Sequence, residues 1–154
     1  MKIGVISDTH NFFDPKIPEL FRGVEHIIHA GDVGTTAILS ELERIAPVTA
    51  VYGNTDLMLP LKEVEVFELG RHKFLLQHIV QPHTPAVLLS DRVQREKPDT
   101  IVFGHTHKPF NQTIEGIWYF NPGYAGKTRF GMERSVALLH FQKGKIKPEF
   151  LKLE

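Results

Sequence analysis

The stretch VFGHTHKPF, residues 102–110, ends an apolar run with a glycine and then places two histidines two positions apart. The run before it is rich in β-branched and aromatic residues, which predicts a buried strand over 99–104. His105 and His107 therefore follow the carboxyl end of this strand. Imidazole is a common metal ligand, so the stretch predicts a metal site if other strands deliver ligands to the same place.

Four earlier apolar runs end in the same way. They predict strands over 2–7, 25–30, 48–53 and 71–79, and the polar residues at or after their ends include Asp8, His10, Asp32, Asn54 and His78. Ligand sites of open α/β sheets lie at the carboxyl ends of the strands. We therefore expect these side chains to converge with His105 and His107, although they are spread over a hundred positions.

Two carboxylates, one amide and four imidazoles are more ligands than one ion uses, but they fit two divalent ions if one carboxylate bridges them. Two-metal sites of this kind favour displacement at phosphorus. Asp8-x-His10 and His105-x-His107 would each put two ligands on one side of an extended chain. His105 and His107 are thus expected to reach different ions.

Each motif alone also fits a purely structural interpretation. Gly31-Asp32 is a plausible turn, residues 53–56 a hairpin or capping loop, and His78 a satisfied core histidine. His29 fits either packing or the orientation of a ligand. Packing or exposure is expected for the other histidines, which are His26, His72, His83 and His140. The five motifs in order at strand ends favour the metal site.

The remaining patterns predict an α/β fold. Helices are expected within 15–25, over 35–46 and over 84–97, and further strands over 63–69, 117–121, 135–141 and 146–153. Alternation of strand and helix predicts a parallel sheet from the first half, and short connections predict antiparallel pairing in the second. Two packed sheets with helices outside would form a single domain over residues 1–154.

Composition limits the choice of function. The chain has 18 basic and 18 acidic residues, which disfavours binding to duplex nucleic acid, and no apolar run long enough for a membrane span. It has no cysteine, which excludes disulfides and thiolate metal ligands. We expect a soluble, cytoplasmic protein that acts on a small substrate.

The order of these motifs, down to Asn121-Pro122-Gly123, resembles that of the calcineurin-like metallophosphoesterases, specifically their minimal bacterial and archaeal phosphodiesterases. The resemblance implies the metallo-dependent phosphatase fold, a four-layer αββα sandwich with two mixed β-sheets. It also implies two divalent metal ions per chain, manganese first among manganese, nickel, iron and zinc. By this analogy Asp32 bridges the ions, and the other ligands fall into the sets Asp8, His10, His107 and Asn54, His78, His105.

The implied function is hydrolysis of a phosphodiester by a hydroxide that bridges the two ions and is held by Asp32. Asn54 and Asn11 are candidates to contact a phosphoryl oxygen. Three positions depart from the family pattern: Thr55 replaces a histidine, Ile79-Val80 replaces Gly-His, and Tyr124 replaces a serine near the pocket mouth. Threonine cannot serve as an acid near neutral pH, so diesters with good leaving groups are expected.

Two alternatives remain at this stage. The same fold serves as a retromer subunit, so the chain could be a catalytically weak protein-interaction scaffold. It could also be a phosphomonoesterase or a hydrolase of short nucleotides. The apolar residues Phe12, Phe13, Leu57, Met58 and Leu59 either pack locally or form a surface for a partner or a homo-oligomer.

Overall fold

A computed structural model describes all of residues 1–154. The strands are β1 (Lys2–Ile6), β2 (His26–His29), β3 (Val48–Ala50), β4 (Val64–Leu69), β5 (His72–Gln77), β6 (Thr100–Val102), β7 (Phe110–Ile114), β8 (Ile117–Asn121), β9 (Ser135–Gln142) and β10 (Lys145–Lys152). The helices are α1 (Ile17–Leu20), α2 (Thr36–Glu43) and α3 (Val87–Glu96). None of the three helices has the length and apolar character needed to cross a bilayer.

The strands form two five-stranded mixed sheets. The first has the order β10-β9-β1-β2-β3, in which β1, β2 and β3 run parallel and β9 pairs antiparallel with β1. The second has the order β4-β5-β6-β8-β7, with β5, β6 and β8 parallel and both edge strands antiparallel. Parallel neighbours need crossover connections, and α1, α2 and α3 supply three of them.

Three apolar cores separate four layers. The core between the sheets includes Ile3 and Val5 of β1 and Phe74 of β5. Phe21 after α1 and Leu42 of α2 cover the outer face of the first sheet in a second core. Leu89 of α3 covers the outer face of the second sheet in a third core, whose other buried members include Leu75, Ile101 and Phe103. The predicted αββα sandwich with two mixed sheets is confirmed.

The pairing predicted for the second half of the chain is wrong in part. β5, β6 and β8 are parallel to one another: α3 provides the crossover between β5 and β6, and the segment that contains β7 connects β6 to β8. β7 was not predicted at all. Three of its five residues are exposed and polar, so it lacks an apolar signal, and a turn at Glu115-Gly116 joins it to β8 as an edge strand.

The strands end earlier than their apolar runs do. β3 stops at Ala50 rather than residue 53, and β6 stops at Val102 rather than residue 104. α1 is a single turn with Pro18 inside it, and α3 begins two residues after Pro85. The shorter strands leave the candidate ligands on loops, where the backbone can turn each side chain toward a common point.

Candidate metal centre

The loops after β1, β2 and β3 of the first sheet meet the loops after β5 and β6 of the second. They bring the candidate ligands into two groups, and within each group the ligand atoms lie within 4.8 Å of one another. One group is Asp8, His10 and His107, and the other is Asp32, His78 and His105. The structure thus places His105 and His107 in different groups. Both sheets contribute to the centre, and the expected convergence of these side chains is confirmed.

The carboxylate of Asp8 is fully buried and uses its two oxygens differently. Oδ2 accepts hydrogen bonds from the Ser7 hydroxyl at 2.6 Å and the His105 backbone N–H at 3.1 Å. Oδ1 has no hydrogen-bond partner and lies 3.3 Å from Nε2 of His107 and 3.8 Å from Nε2 of His10. One oxygen is fixed by the protein, and the other is left for a ligand.

Asp32 repeats this arrangement. Its Oδ1 accepts hydrogen bonds from the hydroxyl and the backbone N–H of Thr55, at 2.8 and 3.1 Å. Its Oδ2 lies 3.2 Å from Nε2 of His78 and 3.6 Å from Nε2 of His10, between histidines of the two groups. Burial raises the pKa of Asp32, but the positive charge of the adjoining His78 and the hydrogen bonds from Thr55 outweigh burial and hold the pKa well below its usual range. Asp8 Oδ1 also lies 3.9 Å from Nε2 of His78, so both carboxylates have an oxygen near histidines of both groups, and Asp32 Oδ2 makes the closer approach to the second group.

The ring of His78 is oriented by the chain itself. Its Nδ1 lies 2.7 Å from the carbonyl oxygen of Ala30, to which Nδ1–H donates, so Nε2 faces the two carboxylates. Burial lowers the pKa of His78, but the adjoining Asp32 and the charge of Asp8 outweigh burial and raise it. In the second group, Nδ1 of His105 and Oδ1 of Asn54 are 3.1 Å apart, so the amide also lies at the centre.

The donor set fits divalent cations. Ligand atoms at 2.0–2.2 Å from one ion are separated from each other by about 3–3.5 Å. The pairs His107–Asp8, His78–Asp32 and His105–Asn54 are 3.3, 3.2 and 3.1 Å apart. The buried polar atoms without partners are Asp8 Oδ1, His10 Nε2 and His78 Nε2, and all three belong to this centre. Such orphaned atoms are costly in a folded protein unless an ion satisfies them.

Glycine is required where the loops cross the carboxylates. A Cβ at Gly53 would lie 2.1 Å from Oδ1 of Asp32, and one at Gly104 would lie 2.1 Å from the hydroxyl oxygen of Ser7. Neither neighbour can move away, because each belongs to the hydrogen bonding of a carboxylate. Both glycines therefore preserve the close approach of backbone and ligand.

The expectation of an extended backbone between paired ligands is wrong. β1 ends at Ile6, and Asp8 and His10 have φ values of 56° and 46°. His105 and His107 are also left-handed, with φ values of 71° and 64°. Left-handed backbone is uncommon for residues other than glycine and tends to cluster at functional sites. Thr9 and Thr106, the middle residues of the two motifs, therefore separate ligands that are oriented by turns of the loop. The ligands are not oriented by the alternation of side chains along a strand.

Asp56 organises the loops, a role that the sequence analysis missed. Its buried carboxylate accepts backbone hydrogen bonds from Val33 at 2.8 Å, Gly34 at 3.0 Å and Gly53 at 2.9 Å. These bonds join the loop that carries Asp32 to the loop that carries Asn54. Its position two residues after Asn54 was the signal available in the sequence, but capping within the loop explained it equally well.

His29 joins the first two loops. It is completely buried, its Nδ1 accepts the backbone N–H of Gly31, and its Nε2 lies 2.9 Å from the hydroxyl of Thr9. That hydroxyl donates to the carbonyl of Val33, so Nε2–H must donate to Thr9 and the ring is neutral. Burial lowers the pKa of His29 to about 4, which agrees with this hydrogen bonding.

Tyr124, Asn11, Ile79 and Val80 differ in burial and in the contacts that they make. Tyr124 is buried rather than at a pocket mouth, and its ring packs 4.7 Å from that of His107. The side-chain Oδ1 of Asn11 accepts a hydrogen bond from Thr35, which leaves the amide N–H groups as donors. Val80 is buried in the outer core, and Ile79 is half exposed.

Comparison with known proteins identifies relatives of the whole chain. Residues 1–144 match the model of the calcineurin-like phosphoesterase superfamily domain. A probable metallophosphoesterase of Methanothermobacter thermautotrophicus is 34% identical over 99% of this chain and 92% of its own length. A phosphodiesterase of Methanocaldococcus jannaschii is 30% identical over 80% of this chain and 83% of its own length.

A solved structure shows the same fold. Vps29 of Entamoeba histolytica, crystallised in complex with zinc, superposes with a TM-score of 0.76 and 24% identity over the whole of both chains. At this identity the likeness concerns the fold alone.

Proposed function

The chain belongs to the calcineurin-like phosphoesterase superfamily, and on that premise we propose that it hydrolyses phosphodiester bonds with two divalent metal ions. The observation that carries the proposal is the pair of inward carboxylate oxygens, Asp8 Oδ1 and Asp32 Oδ2, each facing imidazole nitrogens of both groups. The phosphodiesterase among the relatives supports the reaction class.

Each residue of the centre would have a distinct role in metal binding or substrate binding. Asp8, His10 and His107 would hold one ion, Asn54, His78 and His105 the other, and Asp32 both. When bound, such a pair of cations supplies an activated water at neutral pH and neutralises the charge that grows on the phosphoryl oxygens. Manganese is the first candidate among the divalent metals. The zinc complex of Vps29 supports the binding of a divalent ion in this fold. The amide of Asn11 would donate a hydrogen bond to a phosphoryl oxygen.

The leaving group limits the substrate. Threonine has no proton to give near neutral pH, and the hydroxyl of Thr55 already donates to Asp32. Asn54 is equally unable to act as an acid. An alkoxide therefore leaves without assistance from the position where relatives carry a histidine, and esters with acidic alcohols or phenols react faster.

The test is a comparison of two aryl esters on protein loaded with Mn²⁺ or Ni²⁺. We expect bis(4-nitrophenyl) phosphate to be hydrolysed with a higher kcat/KM than 4-nitrophenyl phosphate. Equal or faster turnover of the monoester would assign a phosphomonoesterase instead.

Ligand variants test the metal centre in the same assay. Asp32→Asn and His78→Ala should abolish hydrolysis and lower the metal content per chain while the far-ultraviolet circular dichroism stays unchanged. His140→Ala is the matched control, since its imidazole pairs with Glu149 outside the centre. Full activity in both ligand variants would remove the two-metal mechanism.

A protein-interaction scaffold is the second candidate, and one observation favours it. Leu57 and Met58 follow Asn54 and are 77% and 96% exposed, which is unusual for large apolar side chains. Of the five apolar residues that could have formed a surface for a partner, only Leu57 and Met58 are exposed in the structure. Phe13 and Leu59 pack against the first-sheet core, and the guanidinium of Arg134 lies over the ring of Phe12.

The scaffold function predicts the opposite response to metal. Binding of a protein partner should survive a chelator and be lost in Leu57→Ser/Met58→Ser. Loss of diester hydrolysis with a chelator, and its retention in that double variant, would favour the enzyme.

A further inference from the structure

A small pocket lies directly against the metal-binding side chains. It has a volume of about 130 Å³, and Asn54 and His78 form one side of it. Tyr52, Gly53, Glu63, Gln77 and Ile79 complete its walls. A substrate whose phosphorus sits at the metal centre would therefore have this pocket beside one of its two ester groups.

The polar groups of the pocket include one carboxylate, that of Glu63. Gln77 is held in place, because its Oε1 accepts a hydrogen bond from Arg92 and one N–H of its Nε2 donates to the carbonyl of Ile79. Glu63 makes no hydrogen bond and has only a loose ion pair with Arg92, at 3.8 Å. Tyr52 has no hydrogen bond through its hydroxyl. A ligand group with hydroxyl donors can satisfy the Glu63 carboxylate, whereas an anionic group would be repelled by it.

The volume limits the ligand to a small group. An engineered protein cavity of about 150 Å³ holds one benzene molecule. The pocket is slightly smaller, so it fits a three-carbon polyol chain. A nucleoside has roughly three times as many non-hydrogen atoms as benzene, so most of it would lie outside the pocket.

We infer that this pocket is a subsite for a small, uncharged, hydroxyl-bearing alcohol group of the phosphodiester, recognised by Glu63 and Tyr52. The inference rests on the proposed phosphodiesterase function and adds a substrate class to it. The group in the pocket is the one that stays on phosphorus. A departing alkoxide gathers negative charge, and the carboxylate of Glu63 would oppose that charge.

The test uses three diesters that share 4-nitrophenolate as the leaving group. They are the glyceryl, the propyl and the thymidine-5′ 4-nitrophenyl phosphates, assayed on Mn²⁺-loaded protein. We expect kcat/KM for the glyceryl ester to exceed that for the propyl ester about tenfold, since a hydrogen bond to a charged group discriminates at this level. The thymidine ester should be poorer than the glyceryl ester.

Variants assign the preference to the pocket. Glu63→Ala should reduce the glyceryl-to-propyl ratio about tenfold, and Tyr52→Phe should reduce it by a smaller factor. Glu68→Ala is the matched control, because Glu68 is an exposed residue of β4 outside the pocket, and its ratio should stay at the wild-type value. A wild-type ratio near one, or an unchanged ratio in both pocket variants, would overturn the subsite.

Product binding separates this inference from the proposed function. Calorimetry should show that glycerol 1-phosphate binds the Mn²⁺-loaded protein about tenfold more tightly than propyl phosphate, and that Glu63→Ala removes the difference. If no diester is hydrolysed but this difference is present, the proposed function fails and the subsite stands. If diesters are hydrolysed and the difference is absent, the subsite fails alone.

Discussion

Replacement of Thr55 by valine tests how the chain presents Asp32, the carboxylate that we propose to bridge the two ions. Thr55 donates to Oδ1 of Asp32 through both its hydroxyl and its backbone N–H, and Oδ2 is thereby turned toward His10 and His78. Valine has nearly the same shape and deletes only the hydroxyl donor at 2.8 Å. Asp32 then keeps the backbone donor alone, and its carboxylate is free to rotate away from the centre.

The magnitude follows from the type of hydrogen bond that is lost. A hydrogen bond to a charged group contributes about 1.5–3 kcal/mol, which corresponds to roughly 10- to 150-fold in an equilibrium constant. This bond exists with and without metal, so only the part that orients Oδ2 affects metal binding. We therefore expect metal affinity to fall about tenfold, the lower end of the range for groups that orient a metal ligand.

The assay is calorimetric titration of the metal-free protein with Mn²⁺, supported by competition with a chelator of known affinity. Thr55→Ser restores the hydroxyl and should bring the affinity back to within about threefold of wild type. Thr113→Val is the matched control, since Thr113 is exposed on β7, and should leave the affinity unchanged. Affinities of Thr55→Val within twofold of wild type for both ions would refute the assigned role of this hydroxyl.

Three further predictions concern stability. The pKa of His29 is about 4 in the folded chain and about 6.5 in the unfolded chain, so His29 binds more protons in the unfolded state between these values. The contribution of His29 to the free energy of unfolding should therefore fall by about 2 kcal/mol from pH 7 to pH 5, whereas His78, whose pKa is raised, acts in the opposite direction. In urea titrations with chelator, wild type should lose about 2 kcal/mol more than His29→Gln over this range, and equal losses would contradict the role of His29. Asp56→Ala leaves three backbone donors without their acceptor and should lower the free energy of unfolding by about 3 kcal/mol or more, with a smaller loss in Asp56→Asn. A loss below about 1 kcal/mol in Asp56→Ala would show that water replaces the carboxylate. Free Mn²⁺ at a hundred times its dissociation constant should raise the free energy of unfolding by about 2.7 kcal/mol per site, and a chelator should remove this stabilisation. Equal stabilisation of Asp32→Asn would mean that the ions bind elsewhere.

Most of the architecture followed from local patterns. Buried strands such as β1 and β2 were predicted from runs of β-branched residues. The helix α2 was predicted in the same way, from apolar residues such as Ile38 and Leu42 that recur at helical spacing. Both predictions were possible because burial imposes a residue pattern that is visible without the fold. β7 gave no such signal, since an edge strand with exposed side chains need not be apolar. The parallel pairing of β6 with β8 was equally hidden, because pairing depends on the path of the chain between strands.

The strand ends, the polar residue types and their order are local properties of the chain, so they were enough to predict which side chains gather at the centre. The way in which each ligand is presented depends on long-range contacts: Thr55 occupies one oxygen of Asp32, the carbonyl of Ala30 fixes one nitrogen of His78, and Asp56 joins two loops. These contacts link residues more than twenty positions apart. Their geometry depends on the left-handed turns and on the packing of two sheets, neither of which a periodicity of side chains encodes.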